Sequence, residues 1–352
     1  MRRLMVLVGV ALLLGSEAWP RPLPPAPLAG FSFSPLLSES AHHDPRADLG
    51  LLLADTNPDL VRLPIYWESV EPTPDQLDFS EIDGLLAVVA RHNELAVNPT
   101  RVVLTVGARN FLYPELHEPG WARPRWQPFL NNMQAAPAYR AYFDTSITRY
   151  RDSPLLYAWQ VENEPLDYVG NASTGDDQIK VAQLSWEMGE VRRLDPGHEA
   201  MTTTFDGWNV AVDMLQVYAK PVLQVLGGYP SGHPEEVLQA GDALGLDMYI
   251  DGPSTPLRFT GTDLREAWKE QSLAFWISRA NSMGKDVWIS EMQAQPWADL
   301  SGKFTEDDLL TSAAGYRQEH LQVVLMWGVE TWLADPAWMA AATRAMAILR
   351  SP

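Results

Sequence analysis

Two glutamates stand at the ends of runs suited to β-strands. Glu164 lies in Trp159-Gln160-Val161-Glu162-Asn163-Glu164-Pro165, and Glu291 in Val287-Trp288-Ile289-Ser290-Glu291-Met292-Gln293. Two carboxyl groups can cleave a glycosidic bond when one is protonated and donates to the departing oxygen while the other is ionised and attacks the anomeric carbon. Their surroundings must then hold the two pKa values apart. Glu164 suits the acid/base: Asn163 before it offers an amide to a sugar hydroxyl, and Pro165 after it takes no part in a ladder. Glu291 suits the nucleophile. Either residue alone reads equally well as a solvated strand-end carboxylate or an ion-pair partner.

The elements that must bring the pair together alternate along the chain, short β-branched or apolar runs followed by amphipathic helical ones. The strands are expected at Ala29 to Ser34, Leu60 to Tyr66, Arg101 to Gly107, Leu155 to Val161, Glu199 to Phe205, Ala243 to Ile250, Asp286 to Ser290 and Gln322 to Gly328. Helical spacing puts Ile82, Leu85, Leu86 and Val89 on one face, and Tyr139, Phe143, Ile147 and Tyr150 on another. Thr305-x-x-Asp308 and Asp263-x-x-Glu266 have the spacing of capping boxes. Helix-to-strand turns are tight, whereas Asn110 to Ala136, Asp251 to Gly261 and Met292 to Lys303 are long strand-to-helix segments. That asymmetry predicts an α/β fold of the TIM-barrel type, (β/α)₈, with its site at the strand C-terminal ends. A doubly wound open sheet is the rival, but no Gly-x-Gly-x-x-Gly follows the first strand.

From about Leu28 onward the chain resembles the clan A glycoside hydrolases, the cellulase-like family 5 group among them. Asn163-Glu164-Pro165 carries the resemblance, with Val61-Arg62-Leu63-Pro64-Ile65-Tyr66-Trp67 looking like the second-strand segment of that clan. The resemblance implies that Arg62 keeps the nucleophile ionised, that Tyr249 hydrogen-bonds it, and that Trp327 floors the central sugar site. It implies a retaining enzyme for β-linked oligo- or polysaccharide that needs no cofactor. Two positions depart from the pattern. Asp247 stands where many family 5 members carry a histidine, and Gly107, Arg109 and Asn110 are all that the third strand offers in place of another. A carbohydrate-binding protein that kept the barrel without turnover is the alternative, since fold does not guarantee activity.

Fourteen tryptophans are present, and Trp67, Trp121, Trp126, Trp208, Trp297 and Trp332 fall in the expected top loops. Indole faces pack well on pyranose rings. Trp67 and Trp297 are therefore expected to bind substrate beside Arg62, Asn163, Tyr249 and Trp327. The scattered histidines form no His-Glu-x-x-His spacing, so no metal centre is expected. Formal charge is −19, which disfavours nucleic acid and anionic membranes as partners and suits a neutral sugar. With no cysteine among 352 residues, thiol chemistry and disulfides are excluded. Met1-Arg2-Arg3, the apolar run Leu4 to Leu14 and Ser16-Glu17-Ala18 have the form of a secretory signal over residues 1–18. A proline-rich linker, 19–27, would join it to a single barrel domain, 28–352. Export to the cell envelope or medium is expected, with an uncleaved membrane anchor as the alternative.

Overall fold

The computed structural model describes residues 23–122, 136–167, 178–205, 210–225, 232–249, 262–296 and 304–352. The signal-like segment and the start of the proline-rich linker lie outside the described residues. Eight strands run in parallel and close in chain order into a barrel, β8 pairing with β1. They are β1 (Leu28–Ser32), β2 (Leu60–Pro64), β3 (Arg101–Val106), β4 (Leu156–Val161), β5 (Glu199–Phe205), β6 (Ala243–Met248), β7 (Asp286–Gln293) and β8 (Val323–Trp327). All eight overlap their expected positions. The barrel is therefore the (β/α)₈ fold and not an open sheet.

Alternation along the strands sorts their side chains into two apolar clusters. Leu60, Val103, Ala158, Met201, Ala243, Trp288, Val323 and Leu325 form the smaller cluster, with Leu28 packed against it. Every strand contributes to it, so it is the filling of the barrel. The intervening positions, such as Val61, Leu63, Leu104, Trp159, Leu246 and Ile289, join the larger cluster beneath the helices. Two residues further along on β2, β3, β4, β5 and β7, and four further along on β1 and β6, the inward positions become polar: Arg62, Thr105, Gln160, Thr203 and Ser290, with Ser32 and Asp247. An apolar plug thus supports a polar floor at the strand C-terminal ends, where such barrels build their sites.

Local signals set the helix boundaries. Thr305 and Asp308 form the expected reciprocal box at the start of Glu306–Tyr316, with Thr305 N–H 2.8 Å from Asp308 Oδ2. Asp335 caps Pro336–Leu349 through Ala337 N–H at 2.8 Å, and the proline sits where no intrahelical N–H is needed. The second expected box, Asp263-x-x-Glu266, falls within the helix Thr262–Ser282. Among the described residues, no helix is long and apolar enough to cross a membrane.

Candidate active site

Arg62 rises from the inward face of β2, is wholly buried, and is used in three directions. Its Nε donates to Ser32 Oγ at 2.8 Å, Nη1 to Gln160 Oε1 at 2.8 Å and Nη2 to Glu291 Oε1 at 2.7 Å. Phe111 covers the guanidinium, 4.1 Å from its carbon to the ring centroid. The second oxygen of Glu291 accepts from the Tyr249 hydroxyl. Burial, then the charge of Glu291, pushes the Tyr249 phenol well above its usual range, so it stays a donor.

Glu291 reaches this position through an irregularity in β7. Pairing with β6 runs Leu246 to Ile289 and then Asp247 to Glu291, and pairing with β8 also breaks between Ile289 and Met292. Ser290 is the extra residue. A bulge of this kind re-aims a side chain at a barrel rim, and here it lets Ser290 and Glu291 in succession face the polar floor. Ser290 Oγ donates to Asp247 Oδ1 at 2.7 Å.

At the end of β4, Glu162 and Glu164 adopt left-handed backbone angles, φ 60° and 44°. The turn sends the Glu162 carboxylate away from the floor, where it accepts from the N–H groups of Ala108 and Arg109 at 3.0 and 2.5 Å. Asn163 is locked by Gln160 Nε2 on its Oδ1 at 2.8 Å, and its Nδ2 lies 3.3 Å from Glu115 Oε1. Thr203 Oγ1 receives the Glu164 N–H at 2.9 Å. Such strained angles persist only where neighbours hold them.

Glu164, Asp247 and Glu291 are all buried, and one carboxyl oxygen of each lies within 4.8 Å of one oxygen of the other two. Their environments differ. Glu291 meets a guanidinium and a phenol. Glu164 is pushed well above the usual carboxylate range by burial first, then by Glu115, Asp247, Glu291 and Asp167. One carboxyl of the site is thus pushed toward its neutral form beside another that is paired with a cation, a contrast that can set a donor apart from an attacker. Among the described residues this trio is the one group whose oxygens could meet a cation together, although Arg62 already supplies the positive charge at Glu291.

The structure brings Arg62, Asn163, Glu164, Tyr249 and Glu291 together, with Trp327 at the rim. Trp327 is half-buried and meets Phe111 edge to face at 5.8 Å between centroids. Trp67 is different. It is wholly buried, stacked on Tyr142 and donating to Glu71 Oε2 at 2.8 Å, so it has no face for a sugar and belongs to the core. Trp332 is likewise core, its N–H on Ala294 O at 3.0 Å. Trp126, Trp208 and Trp297 lie outside the described residues. Gln160, Ser290 and Glu115 were not expected at the site. Gln160 had a signal: a polar residue on an apolar strand, in step with Ala158 two positions before.

A closed parallel barrel with a buried carboxyl pair at its C-terminal rim defines the class of protein. No family model matches the chain. Over 94 residues it is 33% identical to mannan endo-1,4-beta-mannosidase F of Aspergillus clavatus, which is 27% of this chain and 20% of that protein. The chain thus matches about a fifth of the length of that curated relative. Among solved structures, GH5_18 from Streptomyces cattleya in complex with GlcNAc superposes with TM-score 0.64 at 17% identity, covering 94% of this chain and 82% of that one. Native xylanase 10B from Thermotoga maritima gives TM-score 0.53 at 15% identity over 86% and 83%. The fold is the one these glycoside hydrolases use.

Proposed function

We propose that the protein is a retaining glycoside hydrolase acting on β-linked oligo- or polysaccharide. The observation that carries this is that one oxygen of Glu164 and one of Glu291 lie within 4.8 Å of each other, in contrasting electrostatic settings. Retaining enzymes place the two carboxyl groups about 5–5.5 Å apart and inverting ones roughly 6.5–9.5 Å, the latter leaving room for water. Glu164 protonates the departing oxygen while Glu291 attacks the anomeric carbon and forms a glycosyl ester. Glu164 then takes a proton from water, which releases the sugar with its configuration kept. Arg62 and Tyr249 orient the nucleophile, Asn163 offers its amide to a sugar hydroxyl, and Trp327 offers ring surface at the rim.

The local likeness to a mannan-cleaving enzyme makes β-mannosides the first substrates to test. Purified protein is incubated with 4-nitrophenyl β-mannoside, β-glucoside, β-galactoside and β-xyloside and with β-mannan, and proton NMR follows the anomeric configuration of the first product. The expected result is β product from a β substrate, abolished in Glu164→Gln and Glu291→Gln. Sugar binding without turnover by the parent would assign the barrel to carbohydrate recognition instead. Export directed by residues 1–18 belongs to the same reading, and the mass of the mature N-terminus tests it.

A further inference from the structure

Asp247 is a third carboxyl in a floor whose cations are already engaged. Arg62 spends its N–H groups on Ser32, Gln160 and Glu291. Arg109 pairs with Glu115, and His233 Nδ1 lies 3.1 Å from Asp167 Oδ1. Asp247 itself is wholly buried, with Ser290 on Oδ1. Among the described residues its Oδ2 meets no hydrogen-bond donor, while one Asp247 oxygen lies within 4.8 Å of one Glu164 oxygen. A buried carboxylate without a partner takes up a proton rather than stay charged. One proton between Glu164 and Asp247 satisfies both groups.

We infer that Asp247 is a positioning residue that shares a single proton with Glu164 and so holds the acid in its donor form; this rests on the reading of Glu164 as the acid/base. The charges balance through the cycle. Before reaction Glu291 and Asp247 are ionised and Glu164 carries the proton. When the glycosidic bond breaks, that proton leaves with the alcohol, Glu291 becomes a neutral ester, and Glu164 and Asp247 are both ionised. Water then gives its hydroxyl to the anomeric carbon and its proton to Glu164, and Glu291 is freed as carboxylate. The floor carries the same total charge throughout, and the repulsion between Asp247 and Glu164 in the ester state strengthens Glu164 as the base that activates water. Burial first, and then Glu291, push Asp247 well above the usual carboxylate range, as burial does Glu164, while Arg62, Ser290 and the Glu164 hydrogen bond oppose the shift at Asp247. The Ser290 hydroxyl donating to Asp247 Oδ1 at 2.7 Å makes Asp247 the acceptor and leaves Glu164 as the proton's host.

The test is a carbon-13 NMR titration of protein labelled at glutamate carboxyl carbons, with the Glu164 resonance assigned by its loss in Glu164→Gln. Asp247→Asn is expected to lower the Glu164 midpoint by at least about one pH unit. Ser290→Ala, which keeps every carboxyl, is expected to raise it. A midpoint unmoved in both variants would overturn the inference. This readout needs no substrate, so it stands apart from the proposed activity. In turnover, Asp247→Asn is expected to lower the basic limb of kcat/KM for a methyl glycoside, whose leaving group needs the acid, and to leave it in place for a dinitrophenyl glycoside. An equal loss at every pH with both substrates would mark Asp247 as merely structural.

Discussion

Arg62 Nη2 stands 2.7 Å from Glu291 Oε1, joining β2 to β7 across the floor of the barrel with both side chains buried. The contact matches charge to charge where neither could remain alone. Removing one partner of such a pair typically costs about 3–5 kcal/mol because the other is left uncompensated. Arg62→Met is expected to lose that much stability in urea unfolding, and Arg62→Met with Glu291→Gln to recover part of it. Equal stability of the single and double variants would show that the charge is not what matters.

Tyr249 makes the other contact to Glu291. A hydrogen bond to a charged group is worth roughly 1.5–3 kcal/mol, so Tyr249→Phe is expected to lower kcat/KM by about 10- to 100-fold. The ring is kept, so thermal unfolding should move little. A Tm drop as large as that of Arg62→Met would assign the hydroxyl to folding instead.

Gly107 follows β3 with φ +141°, and a Cβ there would lie 2.4 Å from Glu162 Cδ. The glycine leaves room for the carboxylate that anchors the Ala108 and Arg109 N–H groups. Overpacking of this kind costs about 1–3 kcal/mol, and Gly107→Ala is expected to lose that and part of its turnover, since Glu162 sits in the turn that aims Glu164. Unchanged melting and turnover would refute the clamp.

Stability should fall as pH rises from mildly acid conditions. Burial pushes Glu162 up to about 6 and Glu81 and Glu199 up to about 7, and it drives Glu187 well above the carboxylate range. A carboxyl with a raised folded pKa contributes its full stability below the unfolded value of about 4.3 and loses it as pH passes the folded value. Tm is therefore expected to decline between about pH 5 and pH 8. Tyr139 bridges Glu162 and Glu187, its oxygen 3.0 and 2.7 Å from their Oε1 atoms. Glu187→Gln keeps the shape without the charge and should flatten the decline. A Tm that climbs across this window would contradict the expectation.

Much of the fold was legible because burial on both faces demands apolar runs, and the eight runs were visible as such. Glu164 and Glu291 were legible because each follows such a run. Trp67 misled because an aromatic residue just past a strand looks the same whether its ring turns outward to a ligand or inward to Tyr139 and Tyr142. Asp247 was visible only as a departure from a pattern, since nothing local says that its Oδ2 lacks a donor. The bulge at Ser290 was invisible, because register is a property of paired strands and not of one strand's residues.

The amino-acid order alone determined the alternation of strands and helices, the closure into a barrel and the two strand ends that carry the glutamates, because these follow from short-range periodicity and turn chemistry. The tertiary structure decided which oxygen meets which donor. Arg62, Asp247 and Glu291 acquire their electrostatic roles only when β2, β6 and β7 are brought together around a buried floor, where a shift of one residue in register changes which charges face one another.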